Sequence, residues 1–171
     1  RTLTKLKKLE LWDNKLKTLP EWLSDLKQVI DLDVSENKFK EFPEVICAMT
    51  QLKVLDISSN KLTVLSHNIG QLNHLQDLDV SSNELTGLTE VFPKLTALHE
   101  LNVSENKLSF LPTGFETMTE IVSLDLDSNN LMSLPEEMGE WSQLTYFSML
   151  NNPISPNSLP PNLQKLNEAN K

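Results

Sequence analysis

Apolar residues return along this chain in a pattern that repeats every 23 positions. Counting back from Asn83, apolar residues stand eight, five and three positions earlier, at Leu75, Leu78 and Val80. Further apolar residues follow two and five positions after the asparagine. The same arrangement surrounds an asparagine at every 23-residue step, which predicts one structural unit used again and again. These asparagines are Asn14, Asn37, Asn60, Asn83, Asn106, Asn129 and Asn152.

Within each unit, the segment before the asparagine alternates polar and apolar residues. Asp79 separates Leu78 from Val80, and Asp77 precedes them. An alternation with period two predicts a short β-strand that buries the apolar side chains and exposes the carboxylates. One unit is too small to bury a core alone, so we expect neighbouring units to stack and share one. The asparagine side chain can then satisfy backbone groups that leave the sheet at each turn.

The full pattern, L-x-x-L-x-L-x-x-N-x-L-x-x-L-P, resembles that of the leucine-rich repeat family over nearly the whole chain. The resemblance implies an α/β solenoid that is curved, with a parallel β-sheet on its concave face. Short helical, 3-10 or extended segments would form the convex face. We expect residues 1–171 to form a single leucine-rich repeat domain of seven repeats. The repeats begin near residues 6, 29, 52, 75, 98, 121 and 144.

The convex half of the repeats carries its own signals. Pro20, Pro43 and Pro135 each precede a glutamate, and a proline followed by an acid suits the start of a short helix. In the third and fourth repeats, Ser66 and Thr89 replace the proline. We therefore expect the back of the molecule to be less regular in these two repeats.

Both ends depart from the pattern. Leu3 lies 23 residues before Leu26, as the tail of an earlier repeat would, so we expect the chain to be a fragment of a longer protein. Near the other end, Leu163 comes 19 residues after Leu144 instead of 23. The stretch LPPNLQKLNEAN, residues 159–170, is similar to the shorter repeats of bacterial effector proteins, including those fused to a ubiquitin-ligase domain. This similarity suggests an alternative function as the substrate-recognition segment of such an enzyme.

The distribution of charge narrows the classes of partner. The 171 residues include 15 Lys/Arg and 24 Asp/Glu, for a net charge of −9. Residues 1–27 hold seven basic and four acidic residues, or +3, which leaves 8 − 20 = −12 for residues 28–171. This negative charge argues against nucleic acid or an anionic membrane surface as a binding partner, because both would be repelled. It favours a basic protein or peptide. No apolar run approaches the roughly 20 residues of a membrane span.

Cysteine usage points to a compartment. A single cysteine, Cys47, excludes an internal disulfide framework and favours reducing surroundings. We expect a cytoplasmic protein, or one delivered into a host cytosol if it is a bacterial effector. We also expect a monomer with no cofactor and no metal, because histidine and cysteine do not cluster in the sequence.

Patterns for catalysis are weak. Gly70, Gly87, Gly114 and Gly139 are scattered, so no glycine-rich loop could hold a phosphate. No serine, histidine and aspartate lie at positions of the repeat that would bring them together as a catalytic triad. Cys47 replaces an apolar residue of the convex side, which predicts a buried thiol and not a nucleophile. We therefore expect that the chain is not an enzyme.

The exposed face of the predicted sheet carries the candidate binding residues. The position after the second strand leucine is acidic in five of seven repeats. Since adjacent strands lie about 4.8 Å apart, these carboxylates should form a stripe whose mutual repulsion raises some pKa values. The stripe either attracts a cationic partner or only solvates the sheet and supports its turns, and the sequence leaves both open. The candidate partner-binding residues are Glu10, Trp12, Asp31, Asp33, Asp56, Asp77, Asp79, Glu100, Asn102, Asp125, Asp127 and Tyr146.

Two aromatic residues stand at opposite ends of this stripe. Trp12 replaces the serine of later repeats, and Tyr146 stands at an outward-facing site of the last repeat. Each could anchor a partner or pack against a neighbouring part of a longer chain. The function that the sequence favours is a protein–protein interaction module whose concave face holds a basic protein or peptide.

Overall fold

A single parallel β-sheet runs through the molecule. The computed structural model describes residues 5–169, so Leu3 lies outside the described residues. Seven three-residue strands, β1 to β7, pair in chain order, and each residue pairs with the one 23 positions further on, as Leu9 does with Leu32. This spacing confirms one strand for each repeat. The strands are Lys8–Glu10, Asp31–Asp33, Val54–Asp56, Asp77–Asp79, Glu100–Asn102, Ser123–Asp125 and Tyr146–Ser148.

Short 3-10 helices form the back of the solenoid. Pro20, Pro43 and Pro135 lie just before the first residue of their helices, as their spacing predicts. In the third repeat the backbone N–H of Asn68 donates to Ser66 Oγ at 3.0 Å. Serine therefore caps a helix as long as those that follow proline, and the predicted irregularity of this repeat is wrong. The 3-10 helices are Glu21–Asp25, Glu44–Ala48, His67–Gln71, Phe92–Lys94, Phe115–Thr117, Glu136–Glu140 and Pro156–Ser158.

The fourth repeat is less regular, as predicted. Its helix, Phe92–Lys94, has only three residues and holds a proline in its first turn. The helix of the fifth repeat, Phe115–Thr117, is equally short and follows Gly114, whose φ is 88°. A positive φ of this kind favours glycine, and proline cannot adopt it. The chain therefore enters this helix with a backbone conformation that differs from that of the repeats with proline before the helix.

The core is a continuous ladder of apolar side chains between the sheet and the back. The strand residues Leu32, Leu55 and Leu78 are at most 2% exposed. Towards the back, the ring centroids of Phe92 and Phe115 lie 6.3 Å apart. Those of Phe115 and Trp141 lie 5.8 Å apart, and both pairs are stacked. Because each repeat adds one rung, the core has the shape of a long slab and not of a sphere.

The recurring asparagine has the structural role predicted for it. Nδ2 of Asn83 donates to the carbonyl oxygens of Ile57 and Val80 at 3.1 Å each. Its Oδ1 accepts the backbone N–H of Leu62 at 3.0 Å, so one side chain joins neighbouring repeats. The residue before each asparagine has a positive φ between 50° and 57°, a conformation that non-glycine residues seldom adopt. These residues are Asp13, Glu36, Ser59, Ser82, Glu105, Ser128 and Asn151.

One α-helix, α1 (Pro161–Ala169), covers the last strand. Its Leu163 is fully buried, and Oδ1 of its Asn167 accepts the backbone N–H of Met149 at 2.9 Å. In earlier repeats the equivalent backbone N–H donates to a carbonyl oxygen of the next strand, as the N–H of Leu126 does to Ser148 O. The register change in the sequence therefore marks a helix that closes the end of the sheet, and the described residues form no eighth strand.

Candidate partner-binding surface

The concave surface consists of two rows of strand side chains, which run across the sheet from β1 to β7. The pairing places all the strand residues predicted for binding on these rows. The first row comprises Lys8, Asp31, Val54, Asp77, Glu100, Ser123 and Tyr146. The second row comprises Glu10, Asp33, Asp56, Asp79, Asn102, Asp125 and Ser148. Trp12 and Asp127 follow the second row by two residues, at the edge of the sheet.

Aspartates of the second row cap the turns that follow their strands. Asp79 Oδ1 accepts the backbone N–H of Ser81 at 2.8 Å and the hydroxyl of the same serine at 2.6 Å. Asp33 makes the same two bonds to Ser35, and Asp56 accepts the N–H of Ser58 at 2.9 Å. One carboxylate oxygen therefore supports the backbone, as the structural alternative supposed. The bonds leave the second oxygen of each group for other contacts.

Asn102 keeps the turn cap and removes the charge. Its Oδ1 accepts the N–H and the hydroxyl of Ser104 at 3.0 and 2.7 Å, as aspartate does elsewhere. Its Nδ2 also donates to Asp79 Oδ2 at 3.0 Å. An aspartate here would instead face Asp79 across a strand spacing of about 4.8 Å. The neutral residue therefore relieves repulsion in the middle of the row.

Burial and mutual repulsion together disfavour ionisation on this surface. Burial raises the pKa of Asp56, and the neighbouring carboxylates Asp79 and Asp33 add to the rise. The pKa of Asp125 is raised by burial and then by Asp127, Asp79 and Glu105. Sequence reasoning predicted raised pKa values from repulsion, and the direction is confirmed. The larger cause, however, is desolvation of carboxyl groups that lie half-buried between strands.

A lysine that sequence reasoning missed neutralises one end of the rows. Lys8 Nζ lies 3.0 Å from Glu10 Oε1 and 3.3 Å from Asp31 Oδ2. Hydrogen bonds to these two carboxylates raise the pKa of Lys8. The signal was present in the sequence, because Lys8 lies 23 residues before Asp31 and so shares its row. The uncompensated acidity therefore begins at the second strand.

The last repeat departs from the rule of outward-facing rows. Ser148 is only 1% exposed, although its register predicted a concave surface residue. Its hydroxyl donates to Asp127 Oδ1 at 2.6 Å, and the N–H of Leu150 donates to the same oxygen at 2.6 Å. The N–H of Leu150 therefore bonds to Asp127 of the preceding repeat and not to Ser148, which stands where aspartate caps the turn in other repeats. One oxygen of Asp127 is thereby occupied within the fold.

Between these ends, the surface forms a shallow depression of about 400 Å³. Tyr146, 37% exposed, stands at one end of it, and Val54 supplies an apolar wall. Trp12 is half exposed but lies outside this depression. The depression therefore brings together seven of the twelve predicted residues. These seven are Asp56, Asp77, Asp79, Glu100, Asn102, Asp125 and Tyr146.

Other kinds of chemistry find little support in residues 5–169. Within that range, no three histidine, cysteine or acidic side chains are arranged to hold a metal ion. Cys47 is a buried free thiol, as predicted, and burial raises its pKa to about 11, so it is protonated near neutral pH. None of the described helices has the length and apolar character needed to cross a membrane.

Comparison with protein families gives two matches. A sequence model described as a leucine-rich repeat region matches residues 46–168, and a leucine-rich repeat model matches residues 5–26. Together they extend over nearly all the repeats found in the sequence. No curated protein matches the chain significantly.

Solved structures with the same architecture come from bacteria and plants. An internalin of Listeria monocytogenes is 27% identical with a TM-score of 0.83, and a leucine-rich repeat protein of Leptospira interrogans is 30% identical with a TM-score of 0.76. Each match covers 96% of this chain but only 47% of the other protein. A plant peptide hormone receptor in complex with RGF2 is 29% identical, with a TM-score of 0.77 over 88% of this chain and 25% of the receptor. The chain thus spans about half the length of its bacterial neighbours.

Proposed function

Because this chain belongs to the leucine-rich repeat family, we propose that it is a protein-binding module whose acidic concave surface holds a basic segment of a partner protein. The observation that carries the proposal is the depression between Val54 and Tyr146, which gathers carboxylates from four strands, β3 to β6. Among the similar structures, the plant receptor is in complex with RGF2. The partner of the present chain follows from its own surface chemistry.

The charge of the depression favours lysine or arginine in the partner. In the described part of the chain, the ion pairs on this surface are those of Lys8 with Glu10 and Asp31. Asp56, Asp79 and Asp125 have no such partner. Burial is the main cause that raises the pKa of Asp56 and of Asp125, and repulsion from neighbouring carboxylates adds to it. A cationic side chain placed among them would relieve that repulsion and form charge-assisted hydrogen bonds. Tyr146 offers an aromatic face beside these carboxylates.

The natural Asn102 supplies the design of the experiment. Reversing the charge at Asp56 or Asp79 would remove the turn cap together with the charge. Substituting asparagine keeps an Oδ1 acceptor for the N–H of Ser58 or Ser81, as Asn102 does for Ser104. The double variant Asp56→Asn/Asp79→Asn therefore removes two charges and keeps the turn acceptors, while Asp79→Asn also removes the oxygen that accepts Asn102 Nδ2.

The probe is a labelled peptide of about 12 residues, selected from a random library for binding to the wild-type chain with the concave surface intact. We expect selection to enrich lysine and arginine. The double variant should bind such a peptide about tenfold more weakly at low salt, with a shallower salt dependence. The matched control, Glu136→Gln/Glu137→Gln, removes two exposed charges from a 3-10 helix of the back and should leave affinity unchanged.

The converse variant tests the same surface in the other direction. Asn102→Asp adds a carboxylate at the centre of the row and removes the bond to Asp79 Oδ2. Affinity for the basic peptide should rise. Equal affinity of the wild type, the double variant and Asn102→Asp would overturn the proposal.

The alternative, a substrate-recognition segment of a bacterial effector enzyme, rested on the likeness of residues 159–170 to short repeats. The described part of this stretch folds as α1 and closes the sheet. No observation at the concave surface favours the alternative over a binding module in general. Sequencing the gene beyond Lys171 tests it directly, because a catalytic domain fused there would support it.

A further inference from the structure

A second surface lies along the edge of the solenoid, where the chain leaves the asparagine turns. Backbone bonds hold this edge in register, since Lys38 N–H donates to Leu16 O at 2.8 Å and Lys61 N–H to Phe39 O at 2.9 Å. Lysines occupy the positions one and three residues after the asparagine in the first repeats. We call them the edge lysines: Lys15, Lys17, Lys38, Lys40 and Lys61.

The edge lysines are concentrated positive charges that form no close ion pair in the described part of the chain. Each is exposed, and within residues 5–169 no carboxylate lies within 4.0 Å of any of them. Lys107, at the same position of a later repeat, differs because its Nζ lies 2.8 Å from Glu84 Oε2. The first three repeats therefore present a row of exposed lysines on a molecule whose net charge is −9.

Four edge lysines line a groove of about 630 Å³, which is larger than the concave depression. Leu19, Phe42 and Val45 lie along it as apolar lining, and all three belong to the core. Three glutamates also line the groove. One of them, Glu44, accepts hydrogen bonds from Ser66 Oγ and Asn68 Nδ2 at 2.8 and 3.1 Å, which hold one of its oxygens against the next repeat. The other two are Glu21 and Glu41.

Beyond the groove, the same edge becomes apolar. Val64 and Phe110 lie four residues after their asparagines and are each 60% exposed. Met132, three residues after its asparagine, is 75% exposed. A Cβ built at Gly87 would lie 3.6 Å from Phe110 Cζ, so the phenyl ring lies across the fourth repeat towards Val64. We call Val64, Phe110 and Met132 the edge patch.

We propose that this edge is a second protein-binding surface, which holds an extended acidic segment of a partner with apolar side chains at one end. Charge complementarity selects carboxylates for the edge lysines, and the edge patch would take the apolar side chains. From the first to the sixth repeat the surface spans at least about 24 Å at the sheet spacing, which about seven extended residues can cover. It lies apart from the concave rows and needs a partner of opposite charge.

The experiment uses random peptides of about 12 residues displayed on phage, selected on the variant Asp56→Asn/Asp79→Asn, which lacks two carboxylates of the concave surface. We expect enriched peptides to combine several acidic residues with leucine, phenylalanine or tryptophan. Lys17→Gln/Lys40→Gln and Phe110→Ala should each weaken binding of such a peptide about tenfold or more. The matched control, Lys27→Gln/Lys165→Gln, removes two exposed lysines that do not line the groove and should bind as the wild type does.

The outcomes separate this surface from the concave one. Edge variants that still bind the basic peptide, together with concave variants that still bind the acidic one, would support two independent sites. Enriched peptides that are not acidic, or that bind the edge variants as well as the wild type, would overturn the proposal. Vesicles of phosphatidylcholine with and without phosphatidylserine form a further arm. Sedimentation of the chain with the anionic vesicles, abolished by Phe110→Ala, would assign the edge to a membrane surface and also overturn it.

Discussion

At the scale of single residues, the aspartates of the concave surface have two roles. One carboxylate oxygen of Asp79 caps the turn at Ser81, while the other accepts Nδ2 of Asn102 and faces the row. Turn support and charge display are therefore compatible, and the two interpretations that the sequence left open are not exclusive. Asn102 shows that the structural role survives without the charge.

The asparagine turns give a prediction at the same scale. Asn83→Ala should lower the free energy of unfolding by about 2–3 kcal/mol, because the buried N–H of Leu62 would lose its acceptor. The carbonyls of Ile57 and Val80 would each lose one of their two amide donors and keep the other, from Asn60 and Asn106 respectively. Asn14, at the first turn, is exposed and donates to the carbonyls of Leu11 and Trp12.

Asn14→Ala is thus the matched control and should cost less than about 1 kcal/mol. Urea unfolding followed by circular dichroism measures both variants. Equal losses at the two positions would show that the inter-repeat bonds of Asn83 add nothing beyond the local ones.

At the scale of elements, α1 replaces the strand that the stack lacks at this end. Asn167 accepts the N–H of Met149, and Leu163 fills the end of the core. Repeat proteins need an end that differs from the inner repeats, since an open sheet edge exposes both apolar surface and backbone groups. The helix meets this need with a side-chain amide in place of a backbone carbonyl.

The contact between α1 and the back supplies the prediction for this scale. A Cβ at Gly139 would lie 2.8 Å from Pro160 Cβ, which forces the start of α1 away from the 3-10 helix Glu136–Glu140. Gly139→Ala should therefore lower the free energy of unfolding by about 1–3 kcal/mol. Gly87→Ala, whose Cβ would meet Phe110 at an ordinary 3.6 Å, should change it by no more than about 0.5 kcal/mol. Thermal unfolding compares the two, and an unchanged midpoint for Gly139→Ala would contradict the close packing.

At the scale of the whole molecule, the repeat separates charges into surfaces. Every 23 residues the same backbone position returns to the same face, so a bias at one position becomes a row along the solenoid. The concave rows are acidic from the second strand onward, whereas the edge of the first three repeats is basic. Such a distribution places an acidic concave face and a row of edge lysines on one molecule whose net charge is −9.

The acidic face predicts a dependence of stability on pH. Since the pKa of Asp56 is raised in the folded state, its ionised form is disfavoured there, and this cost is present above the raised pKa and absent below the ordinary value of 3.8. Asp56→Asn keeps the turn acceptor and removes the charge. Its free energy of unfolding near pH 7 should therefore be larger than that of the wild type.

The advantage of Asp56→Asn should shrink as the pH falls through the raised pKa towards 3.8. Urea unfolding of both proteins between about pH 7 and about pH 4 measures it. A difference that stays constant or grows on acidification would contradict the electrostatic origin.

The sequence was enough to predict the repeat, the strand in each unit, the asparagine turns and the face on which the acidic residues lie. It could do so because a 23-residue period places equivalent residues in equivalent positions, and local alternation then assigns each to the core or the surface. The twelve candidate residues were found by this reasoning alone. Even Lys8, which this reasoning missed, pairs with Asp31, one 23-residue period later.

The contacts between side chains of neighbouring repeats could be identified only in the folded chain. Three contacts show this. Asp127 accepts the N–H of Leu150, and Asn102 donates to Asp79, and each of these pairs is 23 residues apart but joins two different residue types. Asn167 accepts the N–H of Met149 from outside the 23-residue period. The groove of the edge lysines likewise depends on how side chains of successive turns stand beside one another. Such contacts follow from packing across the stack, where each repeat compensates for substitutions in the next.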